Sequence, residues 1–163
     1  GKIKVSKTCL DVEALGQLDE LNSTIGLLKS QRVPKGLKRK LHQVQENLFI
    51  IQAHVANLMM GGSFKVPDFK GLKVQEIEEI IDSIEKQLKP VRKFIISGIN
   101  PVSSWLDLLR AKSRNVERSV LRISKVKKLD PEIKKYLNRL SSLFFALARW
   151  EARSRKEQSP SYK

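Results

Sequence analysis

Between Trp105 and Ile123 the chain reads WLDLLRAKSRNVERSVLRI, with three arginines and a glutamate at helical spacing. At about 100° per residue, Arg110, Arg114, Glu117 and Arg118 share one arc of a helix. Three guanidiniums on one face repel each other unless something anionic sits among them, and one glutamate is too little charge to neutralise them. Arginine suits an anion site because its planar fork makes two parallel charge-assisted bonds to phosphate or carboxylate oxygens and stays ionised. The arc therefore reads as a polyphosphate or carboxylate site. The competing reading is a solvated helix face with an i,i+3 pair between Arg114 and Glu117, worth only about 0.2–0.5 kcal/mol.

The elements that must position this arc are helical throughout. Trp105, Leu109, Val116, Val120 and Ile123, with Ser113 in line, form the apolar stripe of the arginine helix, which Asn100 or Ser103 can cap and which runs to about Lys128. Ahead of it, FIISGINP from Phe94 to Pro101 is an apolar run ending in turn residues. A first helix begins near Asp11 and carries Leu18, Leu21, Ile25 and Leu28 on one face, with Glu13, Asp19, Glu20 and Asn22 off it; Pro34 closes it. Gly16 and Gly26 inside it either mark the close approach of another backbone or a ligand or are merely tolerated there. A second helix from Lys38 to Met60 is apolar along Leu41, Val44, Leu48, Ile51, Val55 and Leu58. A third, from about Val74 to Leu88, carries Ile77, Ile80, Ile81 and Ile84. A fifth starts at Pro131 and runs to about Arg153, its wide apolar face including Tyr136, Leu140, Phe144 and Leu147.

Five amphipathic helices without a strand signal predict an all-α fold, a five-helix bundle of mostly antiparallel helices joined by short loops. One domain over residues 1–153 is expected, with 1–10 an extended lead-in and 154–163 a disordered tail. Arg110, Arg114, Glu117, Asn138 and Arg139 make the facing sides of the fourth and fifth helices polar, which predicts a wet cleft or a subunit interface there.

Composition narrows the partners. The 32 Lys and Arg against 17 Asp and Glu, a net charge of +15, call for an anionic ligand or surface. Few aromatics are available to stack the bases of a single-stranded nucleic acid. The single cysteine, Cys9, excludes an intrachain disulfide and suits a reducing compartment. His42 and His54 stand far apart with no third ligand nearby, so no metal site is expected. No apolar run approaches the roughly 20 residues that span a bilayer, so a soluble protein is expected.

Taken together, VEALGQLDELNSTIGLL from Val12, LHQVQENLFIIQAHVA from Leu41, KFIISG from Lys93, RAKSRNVER from Arg110 and YLNRLSSLFFALAR from Tyr136 resemble the ATP:cob(I)alamin adenosyltransferases of the propanediol-utilisation type. The resemblance runs from about Lys7 to Arg153. It implies a homotrimer with an active site at each subunit interface, where cob(I)alamin attacks the 5′ carbon of ATP and triphosphate leaves. In that frame Arg110 and Arg114 contact the nucleotide, with Glu117 and Arg118 beside them and Asn138 holding it from the fifth helix. Asp19 pairs with Arg110 of a neighbouring subunit, and Lys7 and Glu13 also approach ATP. Phe94 crowds the lower face of the corrin, and Gly98 lies in the same cobalamin-facing turn. Magnesium is expected with ATP, and a reductase and an adenosylcobalamin-dependent enzyme are expected partners. The implied compartment is the cytoplasm, or the mitochondrion in a eukaryote, where the human member acts.

Two departures from the family pattern stand out. The family's loop of the form G-D-x-G-x-T, which wraps the triphosphate, would precede Gly1. The family's Pro-Gly-Gly turn becomes Ser97, Gly98, Ile99, and a positive φ at Ile99 would force that turn to be rebuilt. Two other functions compete with the transferase: a non-catalytic relative that carries or senses nucleotide or cobalamin, and a basic helical nucleic-acid-binding protein.

Overall fold

The computed structural model describes residues 9–90, 94–155 and 158–161. Lys7, and with it most of the expected lead-in, lies outside them. Five helices follow in order, α1 Leu10–Ser30, α2 Lys35–Met59, α3 Leu72–Glu85, α4 Pro101–Ile123 and α5 Pro131–Ala152, with no strand among the described residues. α4 packs against both α1 and α5, α5 also meets α3, and α1 lies on α2. The arginine helix therefore occupies the middle of the bundle.

One continuous core explains why each segment is helical. Leu18, Leu21, Ile25 and Leu28 of α1, Leu41, Leu48, Ile51 and Val55 of α2, and Tyr136, Leu140 and Phe144 of α5 are all fully buried. Burying an apolar side chain of this size contributes about 1.5–3 kcal/mol, so these repeating positions outweigh the modest helix propensities of the valines and isoleucines among them. On α4, Leu106, Leu109, Val116, Val120 and Ile123 are buried, while Trp105 is only half-buried at the edge of the core. Leu106 takes the inner place that the simple stripe assigns to Trp105.

Chemistry local to the chain sets the helix starts. Asn100 Oδ1 accepts from Ser103 N at 2.9 Å and Ser103 Oγ accepts from Asn100 N at 3.2 Å, a reciprocal capping box with Pro101 at the first helical position. Both residues expected as caps thus act together. Asp130 Oδ1 accepts from Glu132 N at 2.8 Å and does the same for α5 ahead of Pro131. α2 starts earlier than its periodicity suggests because Leu37 already turns into the core. α4 stops at Ile123, short of Lys128, and the chain turns through 124–127 before Leu129 is buried.

Several expectations need correction. The connections over 60–71 and 86–100 are long, not short. Asn22 is buried at 6% exposure, because its position borders Leu18 on the inward side of α1. A Cβ at Gly16 would meet nothing within 4 Å, and one at Gly26 would only touch Gln45 Nε2 at 3.5 Å. Neither glycine marks a close approach within this chain.

Candidate functional site

The arginine arc is built by α4 with one clamp from α5. Asn138 Nδ2 donates to Glu117 Oε1 at 2.8 Å, which ties the two helices together on the polar side. Asp107 stands one turn before Arg110 on the same arc and is an acid that the motif reading passes over. Its Oδ2 accepts from Arg149 Nη2 at 2.8 Å, and Arg149 is only 4% exposed. The Arg149 guanidinium also lies 5.4 Å from the centre of the Phe145 ring. Both carboxylates on the arc are therefore already engaged by α5.

Arg110 and Arg114 have no side-chain hydrogen bond or ion pair to any described residue. Arg110 is half-buried and Arg114 exposed; Arg118 turns aside to donate to Asn115 of its own helix. Among the described residues the two guanidiniums are unpaired, beside an Asp107 that Arg149 neutralises and a Glu117 that Asn138 orients but leaves charged. Two adjacent guanidiniums in excess over the one carboxylate left charged beside them favour an anionic ligand such as a phosphate chain over a neutral one.

Other predicted residues fall elsewhere. Arg139 points away from this group: its Nε lies 3.4 Å from Glu78 Oε1 of α3, so it does not extend the arc. Asn138 and Arg139 instead border a hollow of about 460 Å³ between α3 and α5, with Glu78, Glu132 and Lys135 on its walls. Glu13 pairs at 3.5 Å with Arg122, near the far end of α4. Asp19 is exposed and has no side-chain partner among the described residues, whereas its neighbour Glu20 accepts from Lys112 at 2.6 Å. A larger hollow of about 610 Å³, between α2, α3 and the end of α5, contains none of the predicted residues. Arg110, Arg114, Glu117 and Arg118 line neither of these hollows.

Phe94 is 79% exposed and Ile96 about half so, in an irregular stretch leading to α4. Positive φ falls on Gly98, at 110°, and on no non-glycine residue described. The turn is thus satisfied by the glycine it keeps, and Ile99 fits it without strain. His42 and His54 stay on the surface of α2, with His54 Nε2 2.7 Å from the carbonyl oxygen of Pro67. Among the described residues no group of three or more His, Cys, Asp or Glu is placed to hold a metal ion.

Fold and site together define a class: a helical bundle that carries adjacent arginines, unpaired among the described residues, on one face of its fourth helix. A family model for cobalamin adenosyltransferase matches residues 1–151, and the chain belongs to that family. A corrinoid adenosyltransferase of Citrobacter freundii is 31% identical over 151 residues, covering 93% of this chain and 86% of that protein. One from Bacillus subtilis is 33% identical over 150 residues, covering 90% and 76%. The human corrinoid adenosyltransferase MMAB is 32% identical over 155 residues, covering 92% and 62%. Among solved structures, a variant PduO-type ATP:corrinoid adenosyltransferase from Lactobacillus reuteri, complexed with cobalamin and ATP, superposes with a TM-score of 0.86 at 26% identity, covering 98% of this chain and 87% of that one.

Proposed function

We propose that this protein transfers the 5′-deoxyadenosyl group of ATP to cob(I)alamin, giving adenosylcobalamin and triphosphate. The observation that carries this reading is the pair Arg110 and Arg114, unpaired among the described residues while Arg149 takes up Asp107 and Asn138 orients Glu117. In the reaction the electron pair of cobalt(I) forms the bond to C5′, the C5′–O bond breaks, and its electrons leave with the triphosphate. Negative charge grows on that leaving group, and guanidiniums paired with it would stabilise it more in the transition state than in bound ATP. Arg110 and Arg114 take this role, with Arg118 and Lys7 adding positive potential. Asn138, fixed by Glu117, holds the nucleotide from α5, and Glu13 approaches it from the start of α1.

An open arc suits a site completed by a second copy. Asp19 and Arg110 both lack side-chain partners among the described residues, and in a homotrimer each Asp19 would pair with the Arg110 of its neighbour. Phe94, exposed in the single chain, would lie under the corrin and exclude water and the lower ligand, with Gly98 in the same turn. Magnesium would arrive with the triphosphate and keep phosphate and water ligands, since the described residues offer no carboxylate cage. A reductase would supply cob(I)alamin and an adenosylcobalamin-dependent enzyme would receive the product. No described helix is long and apolar enough to cross a membrane; a cytoplasmic site of action is proposed, mitochondrial in a eukaryote.

An anaerobic assay with chemically reduced cobalamin and magnesium ATP tests the proposal through the visible spectrum. Protein- and ATP-dependent conversion to adenosylcobalamin is expected. Arg114→Ala should lower turnover by about 100-fold or more, the usual scale for losing a transition-state charge partner, with the helical circular dichroism signal unchanged. Turnover that survives this substitution would exclude the arc as the triphosphate site. Binding of nucleotide or cobalamin without conversion would instead mark a carrier.

A further inference from the structure

The stretch that carries Phe94 and Gly98 has no helix or strand of its own to hold it. What fixes it comes from the other end of the chain. Asn100 Nδ2 donates to the carbonyl oxygen of Glu151 at 3.0 Å, which anchors the stretch to the last turns of α5. Beyond α5, Arg155 Nη1 donates to the carbonyl oxygen of Ile99 at 3.4 Å. The backbone N–H of Ile96 donates to the carbonyl oxygen of Gln158 at 2.9 Å. Arg155 is itself placed by its N–H, which donates to the carbonyl of Ala152 at 2.9 Å. A hollow of about 190 Å³ lies between the two segments, lined by Ile96, Ser97, Gly98, Ile99, Arg155 and Gln158.

These bonds fall at alternate points of a short, otherwise free stretch: at Ile96, two residues after Phe94, and at Ile99, directly after the one glycine with positive φ in this turn. A large exposed ring on an unheld segment samples many positions. Tethering the backbone on both sides of Gly98, starting two residues after Phe94, reduces that freedom before any ligand arrives. We propose that Arg155 and Gln158 form a clasp that positions the Phe94–Ile99 stretch, making the segment beyond α5 a determinant of corrinoid binding and not of ATP binding. The inference rests on the reading above, in which Phe94 faces the corrin. Arg155 and Gln158 are positioning residues: they act on the backbone that carries Phe94, and the arginine arc on α4 lies outside their contacts.

The test compares the full chain with a chain ending at Arg153 and with Arg155→Ala, using cob(I)alamin and magnesium ATP as substrates. The expected result for truncation is a rise of about tenfold in the KM for cobalamin, the equivalent of one or two lost hydrogen bonds, with the KM for ATP unchanged. Arg155→Ala should show a smaller rise of the same kind. Amide hydrogen exchange supplies a readout that does not depend on turnover: the Ile96 N–H should be protected in the full chain and exchange freely after truncation. An unchanged cobalamin KM overturns the proposal even if Ile96 loses protection, and so does an Ile96 amide that stays protected in the shortened chain. If truncation prevents folding, Arg155→Ala alone decides, by the same cobalamin KM. A full chain that protects Ile96 yet fails to convert cobalamin would overturn the transferase reading, and the clasp's role in corrinoid binding with it.

Discussion

At the scale of single residues, charge left unpaired matters more here than charge present. The chain carries many basic side chains, but most of those near the polar face have partners: Lys112 with Glu20, Lys127 with Asp11, Arg122 with Glu13 and Arg149 with Asp107. Arg110 and Arg114 stand out because the nearby acids are already engaged. Glu151 shows the opposite situation, a carboxyl whose pKa is raised by burial near the end of α5, with Arg153 pulling it back only in part. Between the ordinary carboxylate range and that raised value the folded protein binds more protons than the unfolded chain, so this group makes stability fall as pH rises through the window. Glu151→Gln should remove that contribution. Melting temperatures of the two proteins at pH 4 and pH 7 are expected to show the variant gaining on the native chain at the higher pH. The backbone carbonyl that receives Asn100 would be untouched.

At the scale of elements, α4 lies between α1 and α5, and its N-terminus is doubly fixed. Asn100 caps the helix through Ser103 and also reaches across to the end of α5. Asn100→Ala removes both interactions, and a loss of about 1–2 kcal/mol in urea-induced unfolding is expected, more than a cap alone would give. The same change frees one end of the Phe94 stretch, so its kinetic effect should appear in cobalamin binding before it appears in ATP binding. At the other end of the bundle, α2, α3 and α5 share a buried polar contact: Asn47 donates to the Tyr136 hydroxyl at 3.1 Å and accepts from Lys73 Nζ at 2.7 Å. Burial pushes the Tyr136 phenol well above its usual range, so it stays neutral and serves as a fixed acceptor. This network ties α3 into the core, away from the arginine arc.

For the molecule as a whole, the proposed function has another surface close over a ligand on the open arc of a chain of net charge +15. The shared-site reading assigns that role to a second copy bringing Asp19. Asp19→Ala and Arg110→Ala should each be poorly active alone. Mixed and reassembled, they should regain activity, since about a quarter of the interfaces in random mixtures would carry both native residues. An assay of the mixture against each variant checks this, and no recovery would show that the two residues do not serve one intersubunit site. Sedimentation of the same samples would report the number of subunits.

Much of this was legible in the residues because it is local. Apolar recurrence at a period near 3.6 is enough to locate five helices, and Asn100 ahead of Pro101 and Ser103 is enough to cap α4, since both depend on neighbours a few positions away. The membership of Arg110, Arg114, Glu117 and Arg118 in one arc follows from the same helical rise. Tertiary structure alone decided which charges on that arc remain free. The pairing of Asp107 with Arg149, the turn of Arg139 toward Glu78, and the contact of Gln158 with Ile96 join residues far apart in the chain. Their partners are chosen by how helix faces meet, and hydrophobic packing sets those faces without reference to charge. The sequence alone determined that a cationic site could exist on α4; packing against α5 determined which acids beside it are engaged within the chain, because that packing pairs Asp107 with Arg149 and sets Asn138 on Glu117.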